Sequence, residues 1–259
     1  MTTATHRTPT RAQLEFAGQR HVAEGPLDLT GMYMAHHAFR RDLARFAVAA
    51  RQTPVDDVEV WRALAVRWEQ FGKVLHHHHT TEDDVLWPQL LDIVDAAGDT
   101  AGRETLEAME AEHALIDPLL ESCAAGFASM AQEPDAATRD RLAATTEAAR
   151  DTLSDHMGHE ETEALPLVQK LLSHEGWERV EKAAGSGKSF TDLLFLVPWV
   201  ADGLTPGQLD SAYRSVGQAF RVMVALTRGR HARREAVAWR YDTAVLRTAP
   251  RRGAVPELR

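Results

Sequence analysis

Four stretches of this chain place apolar residues alternately three and four apart, and each of these stripes carries one histidine. The first runs Leu29, Met32, His36, Phe39, Leu43, Phe46 and Ala50, and the second Leu64, Trp68, Phe71, Leu75, His78, Glu82 and Val85. The third is Leu106, Met109, His113, Ile116, Leu120, Cys123 and Phe127; the fourth is Leu142, Thr146, Ala149, Leu153, His156, Glu160, Ala164, Leu167 and Leu171. Such spacing gathers the named residues on one face of an α-helix, and no segment alternates convincingly as a strand would. Breaking and capping signals at Thr53-Pro54, Gly98-Asp99 and Glu133-Pro134-Asp135 keep the connections short. The expected fold is therefore all-α: an antiparallel up-down-up-down four-helix bundle over residues 27–172, with further helices after it.

Around that bundle, residues 1–26 are polar and broken at Gly25-Pro26, which predicts a flexible N-terminal segment. Residues 173–248 read as a C-terminal helical extension covering one end or side, with an apolar run at 190–200 and a capping box at Thr205-Pro206-Gly207-Gln208. Residues 249–259 read as a flexible tail. The formal net charge of −9 is uneven, because nine arginines from Arg228 onward face only Glu235, Asp242 and Glu257. Only Trp239 and Tyr241 interleave with them, which disfavours nucleic acid and leaves a protein partner as the expected use of this basic region. No apolar run matches a secretory leader or membrane span, so the expectation is a soluble, cytoplasmic protein without a membrane partner. The single cysteine, Cys123, excludes an intrachain disulfide and any thiolate cluster, so a metal here is held by nitrogen and oxygen.

Residues 76–79 are four consecutive histidines, too far from either end to be a purification tag. A helix turns about 100° per residue, so the stripe selects His78, while His77 and His79 look toward neighbouring helices or solvent. The same reasoning selects His36 over His37 and His156 over His159. His78 and His156 each have a glutamate four residues on, Glu82 and Glu160, which places imidazole and carboxylate one above the other. A lone histidine on an apolar stripe is ordinarily a hydrogen-bonded core residue. Four such stripes, two with an inward carboxylate that is costly to bury, point instead to metal. The candidate ligands are His36, His78, Glu82, His113, His156 and Glu160. They are too many for one four-coordinate zinc and suit two iron ions, with manganese or zinc as lesser fits. Gly185-Ser-Gly-Lys-Ser189 lacks the first glycine of a phosphate loop, since Lys182 stands in its place.

His36-His37-Ala-Phe-Arg-Arg-Asp-Leu, His78-x-x-x-Glu82-Asp with Leu86-Trp87-Pro88, Glu112-His113, and His156-x-x-His159-Glu160-Glu161 with Leu165-Pro166-Leu167 resemble the hemerythrin-like, or HHE cation-binding, proteins. The resemblance covers roughly residues 27–172. It implies a four-helix bundle holding a non-haem di-iron centre on those six ligands, with Glu82 and Glu160 bridging. The chain departs from the oxygen-carrying members one turn after His113, where Asp117 and Pro118 replace a further histidine. Asp117 is then either a seventh ligand or a polar residue near a helix end, and Glu161 competes with Glu160, which stays on the stripe. The implied partners are dioxygen, peroxide or nitric oxide, used for redox or oxygen response or for catalase- or peroxidase-like turnover. The alternatives are an iron-binding or iron-sensing protein signalling through its C-terminal helices, and a di-iron oxygenase acting on a small molecule.

Overall fold

The computed structural model describes residues 10–242, and among them the regular structure is helical, apart from one isolated bridge pairing Arg11 with Gly25. The helices are α1 (Thr30–Gln52), α2 (Val58–Thr81), α3 (Trp87–Ala97), α4 (Thr100–Gln132), α5 (Ala136–His159), α6 (Leu165–Leu171), α7 (His174–Gly185), α8 (Phe190–Ala201), α9 (Pro206–Val216) and α10 (Gln218–Ala238). Three begin at aspartate caps: the carboxylates of Asp57, Asp99 and Asp135 accept from the backbone N–H of Val60, Gly102 and Thr138. Each cap satisfies a donor that the helix leaves without an internal partner. Helix α1 lies along α5, α5 along α4, and α4 along α2, which encloses the apolar stripes.

Two places depart from regular helix, and they correspond. Between α2 and α3, and again between α5 and α6, one π-helical turn begins at a glutamate: Glu82–Leu86 and Glu160–Ala164. In the first, Trp87 N–H donates to the Glu82 carbonyl five residues back; in the second, Leu165 N–H donates to that of Glu160. A proline stands six residues after each glutamate, Pro88 and Pro166. Proline lacks an N–H and its ring clashes with the carbonyl four residues earlier, so the helix widens rather than continuing unchanged. The sequence reading carried the second stripe through Val85 as plain helix.

The segment expected to be flexible, residues 1–26, packs onto the bundle from residue 10 onward. Leu14, Phe16, Ala23 and Leu27 are buried, Gln13 Nε2 donates to the Leu27 carbonyl at 2.8 Å, and Ala23 N–H donates to Tyr33 Oη at 2.8 Å. Its own polar composition concealed this, because the anchoring partners lie in α1 and at Gln169, whose Oε1 accepts from Leu27 N–H at 3.0 Å. Residues 1–9 and 243–259, which include the whole of the expected tail and the last six residues of the expected C-terminal extension, lie outside the described residues.

The C-terminal helices cover one side of the bundle. Helix α8 packs against α1 and α10, α10 against α2, and α7 against the first π-turn. The docking of α8 rests on a buried polar knot: Asp42 of α1 accepts from Trp199 Nε1 of α8 at 2.8 Å and from Arg67 Nη2 of α2, while Arg67 Nε donates to Glu235 of α10 at 2.9 Å. Among the described residues, no helix is long and apolar enough to cross a membrane.

Candidate metal centre

The candidate ligands form a polar plate between two apolar clusters. On α1, His36 lies between Met34 of one cluster and Phe39 of the other; on α4, His113 lies between Met109 and Ile116 in the same order. On α2 and α5 the order is reversed, with Leu75 before His78 and Leu86 after it, and Leu153 before His156 and Leu165 after it. All six residues singled out by sequence converge here. His36, His78, Glu82 and Glu160 form one group whose donor atoms lie within 4.8 Å of one another, and His113 and His156 belong to a second, adjoining group.

The third member of that second group is His79, which the stripe argument had turned away from the centre. His79 is 5% exposed and its ring stacks on that of His113, centroids 3.9 Å apart. The single-stripe rule fails because α2 packs mainly against α4 but also touches α1, so adjacent residues face inward toward different neighbours. His78 meets the His36 ring, while His79 meets α4. Asp117, the alternative ligand on α4, is exposed, and α4 continues through Pro118 rather than ending there. The nitrogen missing from that position of α4 is thus matched by one supplied from α2.

The imidazoles are held by carboxylates on other elements. His113 Nδ1 meets Asp83 Oδ1 at 2.8 Å, His156 Nδ1 meets Glu112 Oε2 at 2.8 Å, and His36 Nδ1 meets Glu161 Oε1 at 3.0 Å. A carboxylate there accepts only, so each Nδ1 carries a hydrogen and the Nε2 of a neutral ring presents a lone pair; His36, which Glu160 and Glu161 favour in its charged form, is the exception. Yet His113 Nε2 and His156 Nε2 face each other at 3.0 Å, and His36 Nε2 faces Glu160 Oε2 at 3.0 Å. Both oxygens of Glu82 and both of Glu160 are buried without an aligned hydrogen-bond donor, although His78 Nε2 is 3.1 Å from Glu82 Oε1 and His113 Nε2 is 3.6 Å from Glu82 Oε2. Lone pairs converging on lone pairs in an apolar interior repel one another, and a cation between them removes the conflict. The donor set, five imidazoles and two carboxylates without thiolate, fits a hard or borderline divalent cation.

Charge in the metal-free centre is divided unevenly. Burial disfavours charge on His36, but Glu160 and Glu161 outweigh it and raise its pKa to about 9. Burial likewise opposes ionisation of Glu160, yet His36 and the neighbouring imidazoles bring its pKa down to about 2. Burial, then the His36 charge, push His78 down to about 3 and keep it neutral. Burial and the charge of Glu160 push Glu82 well above the ordinary carboxylate range.

Glu161 does not join the cluster. Its Oε1 and Oε2 take the Arg40 guanidinium at 2.6 and 2.9 Å, and Oε2 also accepts Arg20 N–H at 2.9 Å. Glu160 lies within the candidate group and Glu161 outside it. Glu161 acts as a clamp that orients His36, so Glu161→Ala is expected to weaken metal binding ~10–100-fold without removing a donor. Competition titration with a chelator measures this, and an unchanged affinity would remove the clamp from the account. Tyr33, one turn before His36, is buried and its hydroxyl oxygen accepts from Ala23 N–H.

A family model described as hemerythrin HHE cation binding domain matches residues 28–168 of the chain. No curated protein and no solved structure matches it.

Proposed function

Because this chain belongs to the hemerythrin HHE cation-binding family, we propose that its centre holds two iron ions and serves reaction with, or binding of, dioxygen, peroxide or nitric oxide. In this reading the fold is the antiparallel up-down-up-down bundle. Its support is the order in which α1 and α4 pass the two apolar clusters, opposite to that of α2 and α5. The observation carrying the metal reading is the pair of bare nitrogens, His113 Nε2 and His156 Nε2, facing each other at 3.0 Å.

His36 and His78 would hold one ion, His79, His113 and His156 the other, and Glu82 and Glu160 would lie between them. Iron held there supplies a redox couple and open coordination for a small diatomic or a peroxide. The chain's own contribution is orientation and exclusion. Asp83, Glu112 and Glu161 fix three imidazole planes, and Phe39, Leu75, Met109 and Ile116, all buried, keep bulk water out.

Elemental analysis with the visible spectrum of aerobically purified protein tests this reading. About two irons per chain, with a near-ultraviolet charge-transfer band altered by peroxide, is the expected result. A single zinc, or no metal after iron reconstitution, would overturn it. The contact of α7 with the first π-turn supports the alternative of an iron sensor acting through the C-terminal helices. That reading expects little turnover, together with metal-dependent proteolysis in the loop at 186–189.

A further inference from the structure

Outside the metal centre, a cleft of about 990 Å³ lies between α2, α8 and α10. Its charge is unusual for an acidic protein. Arg62, Arg67, Arg230, Arg233, Arg234 and His231 line it, and its one carboxylate, Glu235, is taken up by Arg67 Nε at 2.9 Å and Trp239 Nε1 at 2.5 Å. Among the described residues Arg62, Arg230, Arg233 and Arg234 have neither an ion pair nor a side-chain hydrogen bond. Many other arginines of the chain are paired: Arg20, Arg40, Arg45, Arg51, Arg103 and Arg240 each meet at least one carboxylate. Four uncompensated guanidinium groups around one cleft create a local positive potential that the net charge of the molecule opposes.

Beside the arginines the cleft opens into a second recess of about 410 Å³. The two share Leu194, Leu226 and Thr227, and the recess continues along Phe190, Val222 and Met223 with no charged residue. Among the described residues, four of the six large apolar side chains that are exposed, Val66, Phe190, Val222 and Leu226, lie on these two walls. Helix α10 thus presents a guanidinium cluster at one end of a continuous trough and bare aliphatic surface at the other.

We propose that this trough binds a single-chain anionic amphiphile, a fatty-acid-like molecule with its carboxylate or phosphate head among Arg62, Arg230, Arg233 and Arg234 and its tail along Leu194, Leu226 and Val222. Guanidinium forks match carboxylate and phosphate oxygens in geometry and charge, and burying an alkyl chain covers apolar surface now facing water. The volume of the arginine-lined cleft lies at the upper end of that of small-molecule sites, and the concavity suits one chain rather than a flat protein face. The chain's own residues 243–259 are a poor occupant of the arginine end, since they carry four arginines against one glutamate. The site is separate from the metal centre, and aromatic packing joins the two. Phe195 in the wall stacks on Trp199 at 5.8 Å, Trp199 meets Phe39 at 5.4 Å, and Phe39 meets His78 at 5.2 Å.

Isothermal titration of the full, metal-loaded chain with monomeric dodecanoate, dodecyl phosphate, dodecanol, dodecyltrimethylammonium and butanoate tests the proposal. Saturable binding of one dodecanoate or dodecyl phosphate per chain is expected, with butanoate and dodecanol about tenfold or more weaker and the cation without binding. Whichever anion binds tighter identifies the headgroup, and either ranking supports the site. The R230E/R234E protein, altered only at exposed positions, should lose about tenfold or more in affinity for the anions, and L226D should lose the dependence on chain length. Binding of the cation as tight as that of the anions, uptake of many equivalents, no binding, affinities unchanged in both variants, or binding to anionic vesicles without binding of the monomers would each overturn it.

Discussion

Glu82→Gln is expected to give a protein that binds metal at least about 100-fold more weakly and yet is more stable than the parent in its metal-free form. The two effects have one origin. Glu82 is 1% exposed, both of its oxygens lack an aligned donor, and Glu160 adds a second carboxylate nearby. Without a cation the ionised form is an uncompensated buried charge, and an amide of the same shape removes that charge at a gain of about 1–3 kcal/mol. The sign of the pH dependence follows. Burial and Glu160 raise the folded-state pKa of Glu82 above its ordinary value of 4.5, so the folded chain binds more protons than the unfolded chain above that pH. The stability of the metal-free parent relative to the variant therefore falls as pH rises from about 4.5 through the folded value. Urea midpoints of both chelated proteins across pH 4–8 measure it. If the parent stays the more stable at every pH, Glu82 is satisfied within the protein and the cation is not needed to neutralise it.

Asp42→Ala is expected to cost about 3–5 kcal/mol, a large share of the stability of an ordinary domain. Asp42 is fully buried and receives Arg67, Arg41 at 2.9 and 3.1 Å, and Trp199 Nε1 at 2.8 Å. Removing it leaves Arg67, itself 4% exposed, with Glu235 as its remaining carboxylate and leaves the indole N–H without an acceptor. Burial alone would raise the Asp42 pKa, but Arg67 and Arg41 outweigh it and hold it below 3.8. Its contribution is present above the unfolded pKa and is lost as pH falls through the folded one. Denaturant unfolding at neutral pH reads the loss, and proteolysis tests whether α8 comes away first. A cost under about 1 kcal/mol would mean that the knot is no stronger than a surface ion pair.

The convergence of the six stripe residues was legible in the sequence because helical periodicity converts spacing directly into direction, and because a histidine or glutamate on an apolar face is costly to bury unless something there binds it. It misplaced His79 because one stripe describes one neighbour, whereas a bundle helix has two. The signal was present all the same: adjacent histidines on α2, together with Asp117 where the oxygen-carrying relatives place a nitrogen. The orienting carboxylates were also in plain view, as each adjoins a candidate ligand in Glu82-Asp83, Glu112-His113 and Glu160-Glu161. Their roles were not, since each holds an imidazole that another helix delivers. The packing of residues 10–29 was hidden for the same reason, as its partners, Tyr33 and Gln169, are fixed only by tertiary structure.

The polar plate crosses the bundle at its midpoint and divides the apolar interior in two. Two cores joined through a layer of buried polar groups rather than through continuous apolar packing need not open together, so the metal-free protein is expected to unfold in parts, each half fluctuating on its own free-energy scale. A cation that ties α1, α2, α4 and α5 at one level converts the halves into a single cooperative unit. Metal occupancy then reaches every amide of the bundle as a change in the size of the smallest opening event, without any helix having to move.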